Sequence, residues 1–524
     1  MERSIWRGTF ILTMAALIIK VLSAVYRLPY QNLAGDVGFY VYQQIYPFYA
    51  LATTMAGFGF PVVLSKLIAE AHSKQGKQGT DIILATAIKV LSGLACLLFL
   101  MSFLGAPLIA RLMEDPKLVH PMRILSFIFL WGPFISIFRG YFQGERFNMK
   151  PTGVSQVVEQ TFRVILVLGL SVWLFTQSAG PYVFGSAAAF GSMIAPLAST
   201  LVLLWFGLRE KSQLRFNIKK SWSGLVAKRL LSEGGAYTIA SLALVIFQFV
   251  DALSLVPFLH THWQAAKTLK GVYDRSFPFI QMGMALAVAL ATSSVPVMAK
   301  LKKVVARGDF NAQLKQPMRL AIIFGSAAAF GLLFIIKETN LFLFADQSGT
   351  EALALMCLNI LSASIVVIGS TMLQGIRGVW EPVIYLVIMA VVKLGLNGLL
   401  VPSLGIFGAA IATVLSLGGL ALIIMMRLKL FCRLRFFTLK EYAVLICALL
   451  SMFLVISLWR FGWYLWVFHH VGRWEAGFMV ITSIGWGAVV FLLWMLRGGL
   501  LDEKDMQHFP AGKVLVRLFL DRKI

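Results

Sequence analysis

Acidic side chains are scarce in this chain: 23 Asp and Glu stand against 47 Lys and Arg, and charged residues of both signs make up only 13% of 524 positions. Soluble domains carry about 25% charged residues, so an ordinary soluble fold is excluded. Cysteine is equally sparse. Cys96, Cys357, Cys432 and Cys447 are scattered with no pairing pattern and no metal-ligand spacing, which removes a disulfide framework and a zinc site and leaves free thiols as the expectation. No phosphate-binding Gly-rich loop of the ATPase type is present, so nucleotide hydrolysis by this chain is not expected, and nothing suggests a cofactor. The first apolar run follows Arg3 and Arg7, but it is too long for a secretion signal, holds Lys20 and lacks a small-residue cleavage site.

What is abundant is apolar: 59% of the residues are hydrophobic. Stretches long enough to cross about 30 Å of hydrocarbon predict an all-α polytopic membrane protein of about fourteen helices. They span 5–28, 39–66, 81–106, 121–143, 153–177, 181–207, 231–258, 273–300, 318–337, 352–377, 382–401, 405–427, 441–461 and 475–497. Positive charge is retained on the cytoplasmic side of membranes. The dense clusters Arg209–Arg229, Lys300–Arg319 and Arg427–Lys440 share one side, whereas the connections Thr176–Pro181 and Val401–Gly405 carry no charge. Both termini are therefore expected in the cytoplasm. The net charge of +24 fits basic loops beside anionic lipid headgroups and gives no reason to expect nucleic acid.

The chain also repeats itself. Gln143-Gly144-Glu145-Arg146 with Pro151 recurs as Gln374-Gly375-Ile376-Arg377 with Pro382, at one constant offset. Glycine is expected to end a helix through left-handed backbone angles, and proline to open the next. A second echo pairs Pro181 to Ala189 with Pro402 to Ala412, where small residues let helices approach closely. A third pairs Pro61-Val-Val-Leu-Ser-Lys66 with Pro296-Val-Met-Ala-Lys300. These echoes predict two six-helix lobes, 1–207 and 231–427, joined by a basic linker 208–230 and followed by two extra helices and a tail in 428–524. Parallel repeats of this kind place a transport site between the lobes.

Charges inside the spans mark candidate sites. Lys20 and Arg27, at i and i+7, share one face of the first span. A charge at membrane depth costs at least about 2.5–3.5 kcal/mol, so such residues face a wet cavity or an anionic ligand. Snorkelling is the rival reading, and it suits Arg27 beside Pro29 better than Lys20. Glu159 and Arg163, at i and i+4, can form an ion pair within one helix; they are read either as a neutralised structural pair or as a gate opened when a substrate phosphate competes for Arg163. Glu114-Asp115, the one adjacent acidic pair in an outer connection, reads as a capping or solvated turn, and His260, His262, His469 and His470 as surface residues. A lipid-linked glycosyltransferase would show more in its outer loops than this.

With these segments in view, the chain resembles the multidrug/oligosaccharidyl-lipid/polysaccharide exporter superfamily. Within it, the likeness is to the polysaccharide-biosynthesis branch of stage V sporulation protein B and the MurJ-type lipid II flippases. The likeness is carried by Gly57-Phe-Gly-Phe-Pro61-Val-Val-Leu-Ser-Lys66, Gly271-Val-Tyr-Asp-Arg275, both Gln-Gly-x-Arg copies and Gly408-Ala-Ala-Ile-Ala-Thr413. The resemblance implies a flippase, not an enzyme, in the bacterial cytoplasmic membrane. It implies an undecaprenyl-pyrophosphate-linked glycan as substrate, with membrane lipids and cell-wall synthesis proteins as partners. It also implies that Lys20, Arg27 and Arg275 line a cationic cavity; for Arg275 a pairing with Asp274 is the alternative. Leu51 and Ala52 follow Pro47 where lipid II flippases carry arginines. Asp251, Lys393, Asn397 and Thr413 match the oxygen-ligand sodium site of such relatives, except that Lys393 replaces an oxygen ligand. An ammonium there would pair with Asp251 as a tethered cation, or face elsewhere. Cation-coupled multidrug export and a non-transporting cell-wall assembly role are the competing functions.

Overall fold

The computed structural model describes residues 25–145, 148–209, 222–259, 263–292, 310–432, 436–466 and 472–500, with scattered positions between 12 and 23. Every regular element among them is helical. The first half comprises α1 (Arg27–Thr54), α2 (Phe60–Leu112), α3 (Val119–Ser126), α4 (Gly132–Glu145), α5 (Lys150–Thr176) and α6 (Pro181–Arg209). The second half comprises α7 (Gly224–Ser241), α8 (Ala243–Phe258), α9 (Trp263–Asp274), α10 (Ser276–Thr292), α11 (Phe310–Phe344), α12 (Thr350–Cys357), α13 (Asn359–Ile376) and α14 (Trp380–Cys432), then α15 (Leu439–Trp466) and α16 (Arg473–Arg497).

Among the described residues, nine helical runs are long and apolar enough to cross a membrane, or ten if α7 and α8, bent by 73° at their junction, form one span. The expected fourteen is not reached by that count, and backbone geometry gives one reason. The run Val21–Leu112 holds 92 residues, about 140 Å of helix against about 30 Å of hydrocarbon. It is interrupted at Gly35 and Gly76, whose φ angles of 69° and 60° are left-handed, and Gly405 at 58° does the same inside α14. Only glycine takes such angles without a Cβ penalty. Gly35 and Gly76 fall in expected connections between spans, and Gly405 is the residue at which the expected span 405–427 opens. Part of the expected span 273–300 lies outside the described residues.

The outward faces are those of a protein solvated by lipid. Leu100, Leu104 and Leu108 of α2 form an exposed stripe at i, i+4 and i+8, and Ile165, Val172 and Trp173 of α5 are likewise uncovered. Inside the first half α2 packs on α4, α5 on α6, and α1 on α6. Inside the second, α13 packs on α11 and α14, α8 on α14, and the α15–α16 pair on α11. The most extensive contacts between the halves are α2 with α7 and α9 with α1, and α1 also touches α8 and α11.

The repeated motif holds its register but not its expected cap. In both copies the proline lies in the first turn of the following helix, Pro151 in α5 and Pro382 in α14. Neither Gly144 nor Gly375 is left-handed; in the second copy that role falls to Gly378, with φ 113°. Gly144 serves close packing, since a Cβ there would stand 2.5 Å from the Ser65 carbonyl oxygen of α2. Pro296–Lys300 of the third echo lies outside the described residues.

Candidate functional site

The chain reverses at Gly35, so the arm Arg27–Ala34 folds back along the remainder of α1. Tyr42, Tyr46 and Tyr49 recur at i, i+4 and i+7 and present one aromatic face to that arm. Tyr26 and Tyr42 meet hydroxyl to hydroxyl, and the Tyr30 hydroxyl donates to the Gly38 carbonyl at 3.4 Å. Two guanidinium groups enter this aromatic basket. Arg27 lies 4.4 Å from the Tyr46 ring centroid. Its side chain is 1% exposed, and Nε, Nη1 and Nη2 find no hydrogen-bond acceptor among the described residues. Arg163 of α5 stacks 3.6 Å from the Tyr49 centroid, donates from Nε to Ser192 Oγ at 3.0 Å and from Nη2 to the Tyr42 hydroxyl. Lys20 lies outside the described residues.

The expected Glu159–Arg163 pair is not made. Glu159 accepts from Arg139 of α4 at 2.9 Å, and that guanidinium also donates to Ser155 Oγ at 3.2 Å and Ser199 Oγ at 2.8 Å. A cross-helix partner wins because it brings three acceptors to one buried fork, whereas Arg163, a turn away, gains an aromatic face. Sequence spacing cannot see this competition. Arg139 itself was not singled out from the sequence, although it precedes the repeated Gln-Gly motif by one turn.

Arg275 is also placed differently from both expectations. It does not pair with Asp274, whose carboxylate is taken by Lys270 of the same helix. Its guanidinium grips Asp346 through two parallel bonds of 2.7 and 2.8 Å, and Asp36 of α1 at 2.6 and 3.1 Å. It is thus a neutralised clasp between the halves in this conformation, not an open anion site. Burial works against the Asp346 carboxylate, but the bonds from Arg275 and the Ser348 backbone outweigh it and hold its pKa below the usual carboxylate range. Gly271, one turn before Arg275, lets α9 lie directly on the Asp36 backbone.

Asp115 is a second unexpected tie. It caps the short turn Pro116–Leu118, as a capping reading requires, but it is fully buried and not solvated. It receives Tyr40 at 3.2 Å and Tyr182 at 2.6 Å from its own half and Lys267 of α9 at 2.9 Å.

The four residues expected as a cation-site-like set do converge. Lys393 Nζ donates to Asp251 Oδ2 at 2.6 Å and to the Phe247 carbonyl at 2.9 Å. Asn397 donates to Asp251 Oδ1 at 3.1 Å, and Thr413 meets the Tyr273 hydroxyl at 2.8 Å, which in turn donates to Asp251 Oδ2 at 3.0 Å. Lys393, Asn397 and Asp251 are wholly buried. The ammonium thus stands where a bound cation would otherwise meet that carboxylate.

These geometries sit on a fold with known counterparts. The family described as Polysaccharide biosynthesis protein matches residues 5–302. An uncharacterized membrane protein of Bacillus subtilis (strain 168), YabM, is 36% identical over 99% of this chain and 97% of its own length. The lipid II flippase MurJ of the same organism is 25% identical, covering 98% of each chain. Among solved structures, the lipid II flippase MurJ in an inward closed conformation aligns with a TM-score of 0.65 and 16% identity, over 93% of this chain and 98% of its own. At that identity the likeness shows the fold alone. The match across more than half its length, with the relative of 36% identity, places this multi-pass membrane protein in the polysaccharide biosynthesis protein family.

Proposed function

We propose that this chain flips an undecaprenyl-pyrophosphate-linked glycan across the bacterial cytoplasmic membrane by alternating access between its two halves. The observation that carries the reading is Arg27. A guanidinium removed from water costs several kcal/mol, and a cation–π contact returns only about 0.5–2 kcal/mol. Arg27 has one such contact and no acceptor among the described residues. The carboxylate nearest in sequence to Arg163, Glu159, is already held by Arg139. A pyrophosphate would supply the missing acceptors, while the polyprenyl tail stays in lipid. The Bacillus subtilis flippase relative supports the same substrate class.

With the termini cytoplasmic, Asp36, Asp115, Asp346 and Arg275 lie at the outer end, so their bridges hold that end shut while the substrate enters from inside. A cation-coupled drug exporter is disfavoured because cationic drugs call for free buried carboxylates, whereas among the described residues the charged side chain with every polar atom buried and unpaired is Arg27. Purified protein in vesicles with a fluorescent undecaprenyl-pyrophosphate-linked glycan tests the reading. Arg27→Ala and Arg163→Ala should each reduce flipping at least tenfold at unchanged expression. Full transport by both variants would overturn it.

A further inference from the structure

The halves also meet at the end opposite the Arg275 clasp, and there they meet through glycine. Between α1 and α2 the chain makes one π turn, Met55–Gly59, and Pro61 follows in the first turn of α2. α7 of the other half packs against both that turn and α2. A Cβ on Gly59 would stand 1.9 Å from Thr238 Oγ1 and 2.9 Å from the Gly234 carbonyl oxygen, and a Cβ on Gly234 would stand 2.5 Å from the Phe60 ring. The helices therefore touch at a distance that only glycine permits on each side. The Thr238 hydroxyl donates to the Gly234 carbonyl of its own helix at 2.8 Å. Beside this crossing, Phe60, Leu64 and Leu67 of α2 share a buried apolar cluster with Ala227 and Leu230 of α7. The seam is apolar, and charges stand at its rim: Lys66 with Glu233, the neighbour of Gly234, and then Glu70 with Arg229, all partly exposed.

Such a seam suits a part that closes and opens repeatedly. Packing contacts fade within about an ångström of separation, whereas parting a buried ion pair leaves two charges uncompensated. The rim pairs, being partly exposed, exchange their partners for water at little cost. The π turn supplies a joint. It adds a residue to the helical turn, and Pro61 has no N–H for the carbonyl one turn before it, the two features at which helices bend. Resting on the alternating access proposed above, in which substrate enters from the end where α2 meets α7, we propose that the crossing at Gly59, Gly234 and Thr238 is the inner gate. It is shut in this conformation, and it opens by a swing of the first segment of α2 about Met55–Gly59 that lifts Phe60 off α7.

The test needs no substrate. Full-length protein in nanodiscs carries Ala227→Cys in the buried seam, and its reaction with a water-soluble maleimide is followed by peptide mass spectrometry, which reads that position apart from the native cysteines. A side chain at position 59 clashes in the closed state alone, so Gly59→Ala should speed labelling at least about fivefold, in keeping with the cost of overpacking a fitted seam. Adding Thr238→Ala removes the hydroxyl that the new methyl meets, and labelling should fall most of the way back. Gly234→Ala, relieved by Phe60→Leu, repeats the experiment from the other side should Gly59→Ala fold poorly. Unchanged labelling in both glycine variants, or a rise that neither relieving change reverses, overturns the gate. A rise with rescue in a chain that flips no lipid-linked glycan would keep the gate and remove the substrate reading; flipping without the rise would remove the gate alone.

Discussion

The two halves treat buried cations in opposite ways. Among the described residues of the second half each has a carboxylate: Lys393 with Asp251 at 2.6 Å, Lys267 with Asp115 at 2.9 Å, Lys270 with Asp274, and Arg275 with Asp346 at 2.7 Å. Among the described residues of the first half Arg139 alone is paired in this way, with Glu159, whereas Arg27 rests on a tyrosine ring and Arg163 on tyrosine rings and two hydroxyls. A pair neutralised within the protein fixes packing and offers nothing to a ligand. A buried guanidinium on an aromatic face remains a cation in search of an anion. The difference separates a structural use of charge from a binding use, and on the function proposed above substrate recognition falls to the first half.

The largest effect that can break this contrast is expected at Lys393. Removing one member of a buried pair costs about 3–5 kcal/mol, because the other is left uncompensated. Lys393→Ala should therefore melt far below wild type in detergent or require an added cation. Asp251→Asn combined with Lys393→Ala should recover much of the loss, since coupled residues do not add. Wild type should show no stabilisation by sodium, its ammonium already occupying the carboxylate. A sodium-dependent rise in wild-type Tm, or a double variant no better than the singles, would mean that the tethered ammonium does not fill the site.

At Arg27 the sign of the stability effect should reverse. Arg27→Met removes an uncompensated buried charge, so Tm should hold or rise, while transport falls at least tenfold, about 1.4 kcal/mol or more. A large loss of stability in Arg27→Met would show that the residue is structurally paired and erase the distinction between the halves.

Asp36 lies between these extremes, as one of two carboxylates on Arg275. Asp36→Asn keeps the shape and leaves Asp346 in place, so about 1.5–3 kcal/mol, the range for one charge-assisted hydrogen bond, is the ceiling. The signature is conformational: a cysteine introduced beside Gly271 should react faster with a thiol reagent in Asp36→Asn than in the otherwise wild-type chain. Equal rates would show that the Arg275 clasp does not hold the halves together.

Much of this was legible beforehand, and the exceptions share one cause. Spans, connections and their breaks follow from runs of hydropathy and from glycine, both local properties, which is why Gly35 and Gly76 fall where connections were expected and Gly405 where a span was expected to open. The Asp251–Lys393 pair was legible through the resemblance, which set Lys393 where relatives carry an oxygen ligand, and because a buried carboxylate without a partner is costly. Glu159 and Arg275 were assigned to the wrong partners because several acceptors compete for each guanidinium, and the winner depends on how helices far apart in sequence cross. Arg139 and Asp115 were overlooked or taken as ordinary surface chemistry for the same reason. The tyrosine basket left a signal that went unused: Tyr42, Tyr46 and Tyr49 at helical spacing opposite Tyr26 and Tyr30.

The smallest effect belongs to the charges that also join the halves but remain in water. Lys66 of α2 lies 3.5 Å from Glu233 of α7, with side chains 54% and 26% exposed, and Arg229 reaches Glu70 at 3.2 Å. The partners resemble those of the buried clasp, yet the solvent around them is different. Exposed pairs contribute about 0.2–1 kcal/mol, are screened by salt and repay little for holding long side chains still. Lys66→Ala should thus lower stability by less than about 1 kcal/mol, and raising salt should shrink even that, whereas the Lys393→Ala loss should persist at high salt because water and ions do not reach the pair. Tm measured for both variants across a salt series decides the matter. If Lys66→Ala proved as damaging as Lys393→Ala, burial would not be what separates the two kinds of charge, and the division of labour between the halves would need another origin.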